Sequence, residues 1–93
     1  MSQDESKYPR NPAFLCLSNS QRIWIWTVRR CVLCGRRHTH GGGNIWEDPR
    51  RELSHRVAHC ADPSWLGYIL IEDDPEHTNR MIKRYQREAI KIK

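Results

Sequence analysis

The chain reads as a small α+β domain stabilised by zinc, with a short antiparallel β-sheet, a zinc knuckle and a C-terminal amphipathic helix. Three observations predict it: a β-branched and aromatic run at residues 23–28, the string Cys31-Val32-Leu33-Cys34-Gly35 directly behind it, and a capped helical pattern from Pro75 onward. At 93 residues, only 38% of them hydrophobic, the chain forms one thin core, and a scaffold of this size needs an additional staple. Four cysteines and five histidines offer either disulfides or a metal.

Compartment separates the two. Met1 to Pro12 is polar, and no run approaches the roughly 18 to 20 apolar residues of a membrane span, so the expectation is a cytoplasmic protein with no membrane partner. Reducing cytoplasm disfavours disulfides and makes clustered cysteines metal ligands or redox groups.

Taken in order, residues 1–12 are expected to be a disordered tail, low in apolar side chains and interrupted by Pro9 and Pro12. Residues 13–93 form the zinc-binding domain. Phe14-Leu15-Cys16-Leu17 fits an edge strand or docking segment, with Cys16 as a core thiol, before the turn residues Ser18-Asn19-Ser20. Ile23 to Val28 is apolar on both faces and too short for a buried helix, so it is a strand. Gly35 supplies the turn that lets Cys31 and Cys34 face one ion.

Gly41-Gly42-Gly43 marks a loop reaching to about Asp48. Asp48 and Pro49 start a helical turn, and the alternation from Leu53 to Cys60 then favours a strand, although a helix fits the same residues. Asp62-Pro63-Ser64 to Gly67 carries turn signals before a strand at Tyr68 to Glu72. Asp74 as cap, Pro75 at the first helical position and Ile82, Tyr85, Ala89 and Ile92 on one stripe predict a helix over about 75–92.

A structural zinc takes four soft or borderline ligands in a tetrahedron, and C-x2-C around a tight turn supplies two of them. Cys31 and Cys34 are that pair. In a strand, His59 and Cys60 point to opposite faces, and the thiolate is the better ligand, so Cys60 is the third. The fourth is placed at His40, because His38 follows Cys34 with only three residues between and would strain the chelate. His38, His55 and His59 are alternates. A helical segment would instead put His55 and His59 on one face, as in a two-cysteine, two-histidine finger, but twenty residues separate Cys34 from His55 against about 12 in that class. Free thiols and surface histidines remain the bland reading. Dithiol redox chemistry at Cys31 and Cys34 lacks a βαβ context.

The string from Cys31 to Gly41, C-x2-C-G-R-R-H-T-H-G, followed by His55-Arg-Val-Ala-His-Cys60 and a Tyr-containing strand, resembles a group of small actinobacterial and actinophage proteins. The resemblance covers roughly residues 31–71 and leaves out the Trp-rich strand and the Arg-rich helix. It implies that the Cys and His set acts as a unit in a bacterial cell or phage-infected host. It implies no activity.

Charge suggests the partner. The net charge is +5, and twelve of the sixteen basic residues are arginine, whose planar fork suits phosphate and carboxylate. Arg29, Arg30, Arg36 and Arg37 bracket the knuckle, while Arg80, Arg84 and Arg87 share the helix, so a non-enzymatic nucleic-acid-binding module is expected, with Trp46 or Trp65 stacking on bases. The plain alternative is a solvated face paired with Glu47, Asp48, Glu52 and Glu88. A protein-interaction module docking on a host or cellular machine, as regulator or inhibitor, fits the same Arg and Trp content. A nuclease of the His-Me finger type, with His38 or His40 activating water, lacks an acidic residue beside either histidine and a second C-x2-C pair. No small-molecule substrate is evident.

Overall fold

The computed structural model describes residues 8–56 and 67–87. Five strands, β1 (Arg10–Leu17), β2 (Ile23–Val28), β3 (His38–Asn44), β4 (His55–Arg56) and β5 (Tyr68–Glu72), form one sheet in the order β3-β2-β1-β5-β4, and α1 (Pro75–Met81) follows. β1 and β2 form a hairpin whose turn is closed by Ser18 N–H donating to the Ile23 carbonyl at 2.9 Å.

Three pairings are antiparallel, as the sequence predicts, but β1 and β5 run parallel, so the sheet is mixed. β1 divides its length between two neighbours. Residues 14–17 pair with β2, and residues 10–13 pair with β5. Residues 10–12, expected in the tail, are therefore strand, and Phe14 to Leu17 lies centrally and not at an edge. Pro12 is accommodated because the Pro9 and Ala13 carbonyls accept from Ile69 and Asp73 N–H, turning the odd-numbered residues toward β5. The N–H that proline lacks would face the other edge, where the β2 register has already ended at Phe14.

One face of this sheet carries the core. Leu15 lies opposite Trp26, and Ala13, Leu15, Trp24, Trp26, Val28, Tyr68 and Leu70 are buried together with Cys31 and Ile45. Both indoles keep their N–H bonded, Trp24 to the Ile45 carbonyl at 3.0 Å and Trp26 to the Pro49 carbonyl at 2.7 Å. These bonds tie the segment after β3 onto the core face. Cys16 is half-buried and not a core thiol: it lies outside the buried cluster and accepts from Thr27 Oγ1 at 3.4 Å.

The glycine-rich segment expected as a loop is strand β3. Ile23 pairs with Asn44 and Ile25 with Gly41, so two glycines stand opposite the single residue Trp24 in a bulge. A Cβ on Gly42 would come within 3.0 Å of Trp24 Cβ, and Gly43 takes φ +90°. Glycine is here because the sheet backbone passes close over an indole-bearing residue.

As expected, a 3-10 turn occupies Pro49–Glu52 with Asp48 as cap, and strand β4 follows. Residues 57–66, which hold the remainder of the strand expected to Cys60 and the turn before Tyr68, lie outside the described residues. At α1, Asp74 accepts from the N–H groups of Glu76 and His77 with Pro75 at the first position, and the helix continues through a π-helical turn at Ile82–Gln86. Met81, Ile82 and Tyr85 pack against the core, while Ala89 and Ile92 lie outside the described residues. Arg50 fastens the helix start to the sheet, bonding Glu72 at 2.8 Å and Asn79 Oδ1 at 2.8 Å. No described helix is long and apolar enough to cross a membrane.

Candidate metal centre

β2 ends at Val28 and passes the chain through Arg29 and Arg30 to Cys31, which is buried. A tight turn then closes on itself: Gly35 N–H donates to the Cys31 carbonyl, and Cys31 N–H donates to the Arg36 carbonyl, each at 2.8 Å. Gly35 takes φ +77°, the left-handed conformation that glycine reaches without a steric penalty. Cys34 is thereby folded back toward Cys31.

Both sulfurs accept backbone N–H groups at the same offset. Leu33 N–H points to Cys31 Sγ and Arg36 N–H to Cys34 Sγ, each at 3.4 Å.

His38 opens β3 directly opposite Val28, so the strand pairing that closes the arch of residues 29–37 also returns an imidazole to the knuckle. Its Nε2 lies 3.0 Å from Cys34 Sγ. The ligand atoms of Cys31, Cys34 and His38 all lie within 4.8 Å of one another, close enough to bind one metal ion. With metal–sulfur and metal–nitrogen bonds of ~2.3 and ~2.0 Å, a tetrahedral S–N edge is about 3.5 Å, so a shift of about half an ångström opens this contact to coordination.

The histidine that joins the thiols is thus His38, an alternate in the sequence reading, and not His40. A strained chelate was expected because Gly35-Arg36-Arg37 is short, but β3 begins at His38 itself, and its pairing supplies the return that a free loop lacks. His40 shares the face of His38, and its Nε2 lies 2.7 Å from the Tyr68 hydroxyl with the rings edge to face. Burial, followed by the Arg56 guanidinium and the neighbouring His38, holds the His40 imidazole below its ordinary value of 6.5. His55 sits in β4 with its backbone paired to Ile69. His59 and Cys60 lie outside the described residues.

Asn11 is the site residue that sequence reasoning missed. Its side chain is fully buried, with Nδ2 3.3 Å from Cys31 Sγ and Oδ1 accepting Val32 N–H at 2.8 Å. The only available signal was an asparagine inside an expected tail, which is no signal for a contact twenty residues away.

Arg29, Arg30, Arg36, Arg37, Arg80, Arg84 and Arg87 are all exposed. Arg29 lies over the Phe14 ring at 4.1 Å and Arg84 over Tyr85 at 5.2 Å. The acidic partners considered for them are engaged elsewhere: Glu47 accepts Asn44 N–H, Asp48 caps Arg50, and Glu52 lies 3.7 Å from Arg56. Glu88 and Trp65 lie outside the described residues. Among the described residues, none of these seven arginines forms an ion pair. The helix leads away from the knuckle, since His77 meets the Leu15 carbonyl and Gln86 bonds the Ile45 and Glu47 carbonyls beyond the far end of β3. Arg84 and Arg87, on either side of Gln86 in the chain, therefore belong to the end of the sheet away from the knuckle.

The chain matches no protein family, no curated protein and no solved structure.

Proposed function

We propose that this protein is a non-enzymatic, zinc-stabilised module that binds nucleic acid through the arginines around its knuckle. The observation that carries the reading is the convergence of Cys31, Cys34 and His38 within 4.8 Å, with N–H groups already directed at both sulfurs. Two thiolates and an imidazole suit zinc, which has no geometric preference of its own and accepts the shape the chain offers. Cys60 supplies the fourth ligand. In support, Arg56 pairs with Tyr68, whose hydroxyl meets His40, so the chain leaves β4 at the knuckle end of the sheet. Four further residues can reach up to about 13 Å from there. The resemblance to actinobacterial and actinophage proteins sets the module in a bacterial cell or infected host.

Arg29, Arg30, Arg36 and Arg37 flank the ion-binding turn, exposed and free of ion pairs among the described residues, so their charge is available to phosphates. Metal analysis of purified protein is expected to return one zinc per chain, lost in Cys31→Ser, Cys34→Ser, His38→Ala and Cys60→Ser and kept in His40→Ala. Mobility shifts at several salt concentrations test the partner: four phosphate contacts correspond to a log–log salt slope of about −3, and replacing Arg36 and Arg37 by Gln lowers it by about half. Absence of any shift at low salt overturns the nucleic-acid reading.

A protein partner is the second reading, favoured by Val32 and Leu33, which stand 50% and 37% exposed at the tip of the turn between those arginines. Val32→Ser with Leu33→Ser leaves the salt slope unchanged if phosphates are the partner. Plasmid nicking with magnesium or manganese is expected to be absent and tests the nuclease alternative.

A further inference from the structure

We infer that Asn11 is a positioning residue for the metal centre, holding Cys31 as a ligand by donating an amide proton to its sulfur. The inference rests on the metal reading above and extends it to a residue of another strand.

Asn11 lies in the part of β1 that pairs only with β5, its backbone opposite Leu70. On the other side of β1 the β2 register has ended, and the Asn11 side chain meets the ion-binding turn there. A fully buried primary amide has two donors and an acceptor to satisfy, and leaving one unbonded costs about 1–3 kcal/mol. The orientation of this amide is dictated by its neighbours. Val32 N–H can only donate, so the atom 2.8 Å from it must be Oδ1, and Nδ2 is then the atom facing Cys31 Sγ at 3.3 Å. With Leu33 N–H on the same sulfur, Cys31 receives donors from both its own turn and a distant strand.

An N–H···S bond draws electron density from the sulfur, compensates part of its negative charge and fixes its lone-pair direction. Groups of this kind around metal ligands change affinity by about 10- to 100-fold when removed. The Val32 bond adds register: one side chain sets both the backbone after Cys31 and the sulfur itself.

Asn11→Asp keeps an acceptor for Val32 N–H and replaces the donor with an oxygen facing the sulfur. Zinc affinity by chelator competition is expected to fall about 10- to 100-fold. In the cobalt-substituted protein, the sulfur-to-metal charge-transfer band is expected to move to longer wavelength, because a sulfur without that donor holds its electrons less tightly. A merely structural asparagine would not shift the band. Asn11→Ser removes the reach to sulfur without adding charge and carries the same expectations if the aspartate variant does not fold. In wild-type protein loaded with spin-active cadmium, the Asn11 amide proton is expected to couple to the metal through the sulfur. Wild type that takes up no zinc, cobalt or cadmium overturns the metal reading and this inference together. Wild type that binds metal, with unchanged affinity and band in the variants or no amide coupling, overturns the role of Asn11 alone.

Discussion

The His40 Nε2 lies 2.7 Å from the hydroxyl of the buried Tyr68, a hydrogen bond that a neutral ring can accept or donate and an imidazolium can only donate. Burial first, then the Arg56 guanidinium, hold the imidazole below the 6.5 of a free side chain. The sign for stability follows. Above about pH 6.5 the folded and unfolded forms are both neutral and the contribution is complete; as pH falls, the unfolded chain takes up its proton first, and stability is lost until the lowered folded value is passed. Zinc-saturated wild type is therefore expected to lose more of its urea midpoint between about pH 7.5 and 5.5 than zinc-saturated His40→Gln, which keeps polar atoms near Tyr68 and does not titrate. Equal losses in the two proteins would show that His40 does not carry this slope. His38 is read differently although it lies on the same face of β3, because its Nε2 meets a cysteine sulfur and not a phenol.

Elements whose hydrophobic pattern is settled locally were legible in the sequence, and elements settled by a distant partner were not. Ile23 to Val28, Tyr68 to Glu72, the Asp48-Pro49 turn and the Asp74-Pro75 helix start follow from side-chain type and capping chemistry, and each is where it was expected. The C-x2-C-G turn was legible for the same reason. β1 was half hidden because Pro12 argues against a strand unless one knows that its bare edge faces past the end of β2. β3 was hidden because three successive glycines signal a loop, whereas two of them answer the approach of Trp24 from the next strand. The approach of His38 to the thiols was hidden with it, since the strand start decides which imidazole returns to the knuckle. The bulge makes its own prediction. A methyl at Gly42 would meet Trp24 backbone and Cβ, none of which yields as a side-chain tip does, so Gly42→Ala is expected to cost about 1–3 kcal/mol in chemical denaturation. Gly41→Ala, with nothing within 4 Å of the added carbon, is expected to be neutral or slightly stabilising. Equal effects at the two positions would mean that β3 does not pass over Trp24 as described.

Across the whole molecule, two devices hold opposite ends of a thin sheet. At one end, Arg50 and Gln86 fasten the helix to β5 and to the carbonyls after β3. At the other, the chain between β2 and β3 is closed by the turn bonds of Cys31 and Gly35, by Asn11 and by the proposed ion. Cys31 belongs to the buried cluster with Val28 and Tyr68, so the metal end is continuous with the core and not an appendage. Net stabilities of small domains are about 5–15 kcal/mol, and structural zinc in finger peptides contributes binding energies of a similar size, so on the proposed reading removal of the ion is a large perturbation. Each kcal/mol lost lowers the midpoint of a domain this size by about 4–8 °C, and a loss of only about 3 kcal/mol therefore lowers it by roughly 12–24 °C. Chelation is expected to produce at least that shift. Amide exchange should rise first at residues 31–38, where the turn loses its centre, while Trp24 and Ile45, tied by the indole bond at the far end, stay protected longest. A chelated protein with an unchanged midpoint and uniform exchange would mean that the sheet closes without an ion, leaving Cys31, Cys34 and His38 as a hydrogen-bonded cluster in a fold that the tryptophan core sustains alone.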